Sequence, residues 1–424
     1  MPKIKSLKVL ELFAGVGGFR LGLEGYNGGK SSTSGYVRKL KNKLPFEVIY
    51  SNQWEPATTK QHASILYKEK FSDSDKHFNC NITSLKAEDL PIGCDVLTAG
   101  FPCPDFSVAS LLKNSKGLKG SKGKLWKEIR RLITELKEVK KQPDYLILEN
   151  VDRMLKSPVK KRGNDFKIIL KHLEELNYNL EWRVINAADY GFPQRRRRVF
   201  IFCYRKGSKV DQILKNFLPE EIIQNKGVIS LSLKSKIRTS NSNKKQSCLK
   251  TNSGSYRNAG VMINGVVYHY DVDAVYRGRF SCIKDILYKK HVPTEYYIED
   301  SQMHKWTEAK GAKRKLKEKD GFKYYWSEGK IDFPDSTNKP SRTIITSEGG
   351  KSASRIKHVV KDKGRLRRLM PLEVERLNMF PDDFTLDDAK SISDTKRVFL
   401  MGNALVVGIV EKIGNTLSNY LSDN

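Results

Sequence analysis

Cysteine is scarce in this 424-residue chain. Six thiols lie scattered at positions 80, 94, 103, 203, 248 and 282, and no two form a CxxC pair. That excludes a disulfide framework, argues against a zinc ribbon or a redox dithiol, and suits a reduced, cytoplasmic setting. Acidic residues are also in deficit, 48 Asp and Glu against 78 Lys and Arg, which leaves a formal charge of +30. A surplus of that size opposes folding by self-repulsion and points to a polyanionic partner. Read as runs, the apolar residues never reach the roughly 18–20 needed to cross a bilayer. The apolar stretch near the start is too short and too mixed for a secretory signal. No membrane partner is expected. Internal repeats and metal-ligand spacings are lacking too, so no metal is expected.

Hydrophobic residues make up 38% and aromatics 10%, too many for a mainly disordered chain. The length allows two or three domains. Over the first 204 residues short apolar strands alternate with helical patterns. The strands are expected at Lys8–Phe13, Phe46–Ser51, Val96–Ala99, Tyr145–Leu148 and Val199–Cys203, and helices at Trp126–Lys140 and Asp165–Leu176. This alternation predicts an α/β fold with a mostly parallel sheet, whose ligands sit beyond the carboxyl ends of the strands. From about Arg205 the texture turns Ser-, Asn-, Lys- and Tyr-rich, with strand-like pieces such as Gly260–Tyr270; this is read as a second, smaller, irregular domain. Its Gly311–Lys319 run (GAKRKLKEK) reads as a solvated basic loop. A capped helix is expected near Pro371–Met379, and an amphipathic helix over Val406–Leu421 that returns to the first domain.

Polar and glycine clusters follow four of the strand ends. The first strand runs into Leu12-Phe13-Ala14-Gly15-Val16-Gly17-Gly18-Phe19, where glycines permit a tight turn and close backbone approach to a ligand. Alone, it is equally a plain strand–helix turn, and its spacing departs from the dinucleotide fingerprint. The second ends in Asn52-Gln53-Trp54-Glu55, a polar group beside an aromatic that suits ribose hydroxyls and adenine, although Trp54 also reads as a core aromatic. The third ends in Gly100-Phe101-Pro102-Cys103-Pro104-Asp105-Phe106-Ser107, a cysteine stiffened by prolines on a loop rather than inside a core. The stretch Leu111–Lys141 then carries eleven Lys/Arg and three Glu, and its Gly-, Ser- and Lys-rich part reads as a loop able to close on phosphates or as a solvated surface. Glu149-Asn150-Val151 sets a carboxylate at the end of the fourth strand, a candidate proton donor or a helix-capping turn. In Gln194-Arg195-Arg196-Arg197-Arg198, strand alternation points Arg196 and Arg198 the same way.

In this order the motifs resemble those of the cytosine-5 DNA methyltransferases, over residues 1–204 and again from about Asn338 to the end. Lys339-Pro340-Ser341-Arg342-Thr343, Leu366–Phe384 and Gly402-Asn403-Ala404 carry the second part. The resemblance implies a Rossmann-like methyltransferase sheet with a DNA-recognition domain. The catalytic domain would be residues 1–204 plus about 396–424, and the recognition domain and hinge residues 205–395. It implies S-adenosyl-L-methionine as cofactor, double-stranded DNA as substrate, and a bacterial restriction–modification role with a cognate endonuclease on another chain. It implies a monomer. Cys103 would be the nucleophile, Glu149 would grip the ring nitrogen and amino group of the target cytosine, Arg198 its carbonyl oxygen, and Arg196 would support the site. Phe13, Gly15, Gly17, Gln53, Trp54, Glu55, Asn81, Pro102 and Asn403 would line the cofactor pocket, while Arg342 and Thr343 would brace the recognition domain. Three departures from the family pattern stand out: Pro104 after the cysteine, Gln53 where an acid usually holds the ribose, and Asn81 where an acid is often found. The competing expectations are a relative acting on tRNA and a non-catalytic DNA-binding protein on the same frame.

Overall fold

A computed structural model describes residues 6–26, 44–71, 74–101, 124–158, 161–238, 245–248, 255–319 and 322–422. Pro102, Cys103 and the expected basic loop up to residue 123 lie outside them.

The apolar runs form strands β1 (Leu7–Leu12), β2 (Phe46–Asn52), β3 (His77–Phe78), β4 (Val96–Gly100), β5 (Tyr145–Asn150), β6 (Tyr178–Asn186) and β7 (Arg197–Arg205). Farther along, β8 (Ser235–Ile237) pairs with β12 (Val272–Ala274), whereas β9 (Lys245–Cys248), β10 (Ala259–Ile263) and β11 (Val266–Tyr270) extend the main sheet. The ten-stranded order is β3-β2-β1-β4-β5-β7-β6-β10-β11-β9. Strands β1 to β5 pair in parallel, and β7, β6 and the strands beyond run antiparallel to their neighbours. Side chains alternate between two cores, as the period of two requires. Val9, Ile147, Phe200 and Phe202 face one; Leu10, Leu12, Leu146, Leu148 and Ile201 face the other.

Helices cover both faces. In α1 (Gly18–Leu23) and α2 (His62–Lys70) the buried residues join the first core. In α3 (Lys124–Glu138) the buried set Trp126, Ile129, Leu132, Ile133 and Leu136, and in α4 (Asn164–Glu175) Phe166, Ile169, Leu170 and Leu173, recur at helical spacing and pack on the second. The expected α/β class and the Rossmann-like sheet are what the chain forms.

The last helix, Val407–Ser422, does return to α1: a Cβ added at Gly22 would come within 2.6 Å of the Val410 Cβ. The stretch Asp394–Ser422 is long and apolar enough to cross a membrane by composition, although polar residues interrupt its apolar runs. It is two helices interrupted at Ala404, and 67% of its most apolar window is buried within the protein.

Two sequence expectations change. The boundary at 204/205 does not coincide with an edge of the sheet, because Ala259–Met262 pair with Leu180–Arg183 and the Asn264-Gly265 turn, both residues at positive φ, returns β11 beside β10. A shift in composition reports local texture, whereas strand pairing is non-local. The basic run at 311–319 is not a loop: it supplies β13 (Lys313–Lys319), which pairs with β14 (Phe322–Glu328) in a two-stranded ribbon. Beyond it, β15 (Val359–Asp362) pairs with β16 (Arg365–Arg368). The helix expected near Pro371 spans Pro371–Leu377, with proline in its first turn and the Glu373 carboxylate accepting the Met370 N–H at 2.8 Å.

Candidate active site

The carboxyl ends of β1, β2, β4 and β5 converge at one edge of the parallel half of the sheet. After β1 the chain turns through Phe13, Gly15 and Gly17, with φ of 54°, 57° and 87°. At Gly17 a side chain is excluded twice over, by the left-handed backbone and by the Phe71 ring, 2.5 Å from where a Cβ would lie. Gly15 borders open space, with no atom within 4 Å of its would-be Cβ. The Gly15 N–H donates to Gln53 Oε1 at 2.8 Å, so Gln53 ties the loop after β1 to the loop after β2. Next to it Trp54 leaves 37% of its surface exposed, which removes the core reading of that aromatic. Glu55 lies 3.7 Å from Lys396 Nζ, and Lys60 donates to Ser391 Oγ at 3.1 Å, docking the C-terminal segment on this edge. Asn81 caps a short turn, its Oδ1 accepting the Thr83 N–H at 3.2 Å. Asn403 closes the helix Asp394–Asn403 and is exposed.

Behind this loop lies a residue that motif reading passed over. Glu11 on β1 is fully buried, accepts the Tyr67 hydroxyl at 2.7 Å on Oε2, and leaves Oε1 without a hydrogen-bond partner. Burial pushes its carboxyl from an ordinary 4.5 up to about 7, with Tyr67 and Arg20 opposing the rise. Between those values the folded protein holds a proton that the unfolded chain has lost, so this group costs stability as pH rises from about 4.5 to about 7. Glu11→Gln, which keeps the neutral shape, is expected to flatten that decline, by on the order of 2–3 kcal/mol at most. Melting temperatures at pH 5 and pH 8 check it; parallel curves for the two proteins would refute it.

At the end of β5, Glu149 pairs with Arg198 on β7, Oε1 to Nε 3.0 Å, with both side chains mostly covered. Burial raises the Glu149 carboxyl, and Arg198, then Arg196, pull it down. Gly100 is in register with Glu149 across β4 and β5, a Cβ added to it would stand 3.7 Å from that carboxylate, and it precedes Cys103 by three residues. Asn150, the middle residue of the Glu149-Asn150-Val151 motif, donates its Nδ2 to the Phe101 carbonyl at 3.3 Å, and so holds the start of the cysteine loop against the end of β5.

Arg196 departs from the expected alternation. It precedes β7, is buried, and donates from Nη1 to the Ile344 carbonyl and from Nη2 to the Gly402 carbonyl, both at 3.0 Å. Of the two arginines Arg198 is the one ion-paired with Glu149; Arg196 is a positioning residue that clamps two distant segments. Gln194 does the same, accepting the Ile344 N–H at 2.9 Å and donating to Asn378 Oδ1 at 2.7 Å. Thr343 donates to the Arg195 carbonyl at 2.6 Å, and Arg342 pairs with Asp335 at 3.1 Å and donates to the Ile356 carbonyl at 2.7 Å. Single residues cannot reveal the bridges from Gln194, Arg195 and Arg196, which span more than 140 positions.

Gly402 is the tightest point of this clamp. A Cβ there would stand 2.5 Å from the Ile345 carbonyl carbon, against backbone that cannot rotate away. Gly402→Ala is expected to destabilise by about 1–3 kcal/mol, as overpacking does. It is also expected to lower methyl transfer more than the lost folded fraction explains, because Arg196 loses its anchor. Thermal melts alongside specific activity check this; an unchanged melt would refute it.

The model of the C-5 cytosine-specific DNA methylase family matches residues 7–419. The chain belongs to that family. This methylase is 37% identical to the type II methyltransferase M.Sau3AI of Staphylococcus aureus over 424 residues, which cover 98% of this chain and 96% of that one. It is 30% identical over 215 residues to the type II methyltransferase M.HhaI of Haemophilus parahaemolyticus, covering 51% and 53% of the two chains. Among solved structures it resembles Entamoeba histolytica methyltransferase EhMeth (TM-score 0.59, 15% identity, 99% of this chain and all of that one) and S. pombe Dnmt2 methyltransferase (TM-score 0.57, 15% identity, 98% and all). At that identity the likeness speaks for the fold alone. The methylase transfers a methyl group to carbon 5 of cytosine in DNA.

Proposed function

We propose that this methylase acts through Cys103 on a cytosine flipped out of duplex DNA, with S-adenosyl-L-methionine as methyl donor. The single observation that carries the reading is the Glu149–Arg198 pair, set beside Gly100 at the head of the cysteine loop. Carbon 5 of cytosine is too poor a nucleophile to take a methyl group unaided. Addition of a thiolate at carbon 6 makes the ring an enamine, nucleophilic at carbon 5. Glu149 at the ring nitrogen and Arg198 at the carbonyl oxygen would take up the charge that this addition pushes onto the ring. Loss of the carbon 5 proton to a base then restores the ring and expels Cys103 as thiolate. Competing thiols are poor candidates: burial raises those of Cys80, Cys94, Cys203 and Cys282, with Cys94 pushed up to about 12.

The donor supplies an electrophilic sulfonium methyl. The residues beyond β1 and β2 fit such a group: the left-handed loop open at Gly15, the exposed face of Trp54 for a purine, and Gln53, Glu55 and Asn81 as polar neighbours. Phe13, Gly17, Pro102 and Asn403 complete the proposed lining. Gln53 Oε1 already accepts from Gly15, so this chain would rely more on Glu55 for a ribose hydroxyl. Residues outside the sheet, from about 275 to 395, would serve recognition and the hinge. The length-wide likeness to a type II methyltransferase supports a restriction–modification role, with a cognate endonuclease on another chain. The protein would act on double-stranded DNA as a monomer.

Covalent capture tests the reading. With 5-fluorocytosine in the recognised site the fluorine cannot leave as a cation, so elimination stops and the protein should stay bonded to the oligonucleotide through Cys103 when the donor is present. Methylation of ordinary DNA without capture of the fluorinated site would overturn the covalent route.

A further inference from the structure

The ribbon β13–β14 stands apart from both cores. Neither strand joins another sheet, and of its described side chains only Lys313, Trp326 and Glu328 are even partly covered. Phe322, Tyr325, Leu316 and Tyr324 expose 79, 62, 55 and 45% of their surface. A two-stranded ribbon gains little stability by itself, so this much exposed aromatic surface calls for a function.

Its register sorts the side chains. Lys315 lies opposite Trp326 and Lys317 opposite Tyr324, and Lys313 shares their face. Lys317 Nζ lies 4.3 Å from the Trp326 ring centroid. On the other face Leu316 lies opposite Tyr325, and the Arg314 guanidinium lies over the Tyr325 ring at 4.1 Å.

None of Lys313, Arg314, Lys315 and Lys317 makes an ion pair with a described residue. Neighbouring cations do: Arg355 pairs with Glu328, Arg342 with Asp335, and Arg367 with Glu373. Charge is therefore neutralised where the ribbon is anchored and left bare where it projects. The anchor is rigid. Arg355 donates to the Gly311 carbonyl at 2.6 Å and to the Gly329 carbonyl, bracketing both strands. Lys310 reaches the Arg355 carbonyl at 3.0 Å, and Arg342 the Ile356 carbonyl at 2.7 Å, next to Thr343 on Arg195. The ribbon is thus coupled through short polar contacts to the start of β7, which carries Arg198.

We infer that β13–β14 is a DNA-reading ribbon that enters the major groove beside the target base, with Lys315 and Lys317 on phosphates and Arg314 presented to base edges. A two-stranded ribbon matches the width of that groove, and an arginine fork is the side chain best suited to the acceptor pair of guanine. Seven residues per strand give a reach of roughly 24 Å at about 3.4 Å per residue. The unpaired cations complement the duplex backbone, and the Tyr325 and Trp326 rings hold those of Arg314 and Lys317 in place at small entropic cost. This inference rests on the DNA methylase reading and assigns it a contact element.

Lys315→Gln/Lys317→Gln is expected to raise KM for duplex DNA about tenfold with kcat and the KM of the methyl donor nearly unchanged. It should reduce the slope of log affinity against log salt by about 0.9 for each phosphate that the variant no longer neutralises. Arg314→Lys, which keeps the charge but loses the fork, is expected to relax sequence preference in bisulfite-sequenced random DNA without changing the salt slope. Melting temperatures should stay at the wild-type value, since the ribbon lies outside the cores. A double variant with wild-type KM and salt slope would overturn the inference while leaving the methylase reading intact, and would favour another protein as the ribbon's partner. Absence of cytosine methylation in the wild-type protein would instead overturn the reading beneath it.

Discussion

Cys103→Ala is expected to lower methyl transfer by at least about 10⁴-fold, the scale of losing a covalent nucleophile, while duplex DNA affinity stays within a few fold. The asymmetry follows from where the two functions reside. Phosphate contacts draw on a surplus of 30 positive charges spread over the chain. In the proposed mechanism, bond formation to carbon 6 would draw on one sulfur. No other described thiol can substitute, because Cys94, Cys203 and Cys282 are buried and Cys80 is raised by desolvation. Cys103→Ser should be nearly as inactive, since a hydroxyl has far less of its anion at neutral pH. Single-turnover transfer of a labelled methyl group, with a binding isotherm on the same DNA, separates the two quantities. Turnover within tenfold of wild type in the alanine variant would remove Cys103 from the mechanism.

The second large effect is expected at Glu149. Glu149→Gln should reduce kcat by about 10²–10³-fold, the range for removing one group that meets developing charge in a transition state. Burial raises this carboxyl and Arg198 lowers it, which suits a group that must give a proton to the ring nitrogen and take it back. The donating role sets the sign of the pH dependence, and the upward shift moves the limb above the ordinary carboxylate range. The protonated, donating form declines as pH rises, so kcat should fall on the alkaline side in the wild type, and that limb should vanish in the Gln variant. Removing the carboxylate also leaves Arg198 with an uncompensated charge at a mostly covered position, so some stability should be lost as well. Melts and pH–rate profiles on both proteins resolve the two effects. A Gln variant that keeps the wild-type alkaline limb would assign the titration to another group.

The placement of the motif residues was legible because it is local. Gly15 and Gly17 sit where a left-handed turn needs them, Glu149 ends an apolar strand, and Arg198 lies in the strand that pairs with it; residue type and spacing were enough. The bridges were not legible. Arg196 looks like a partner of Arg198 by strand alternation, yet its guanidinium is spent on the carbonyls of Ile344 and Gly402. Asn150 looks like part of a turn, yet it holds Phe101. Glu11 looks like a strand residue, yet it is a buried acid with one oxygen unpartnered.

The same division holds for the chain as a whole. Alternating apolar runs, charge balance and ordered motifs by themselves determined an α/β methylase that works on a polyanion, since hydrophobic period and reactive side chains are properties of short segments. Only the tertiary structure decided that strands from beyond residue 204 extend the main sheet, that α1 is the element on which the returning last helix packs, and that a run of lysines and arginine forms a ribbon with aromatic partners. Each of these depends on which distant segments meet, and contact between distant segments is settled by packing and pairing across the whole fold.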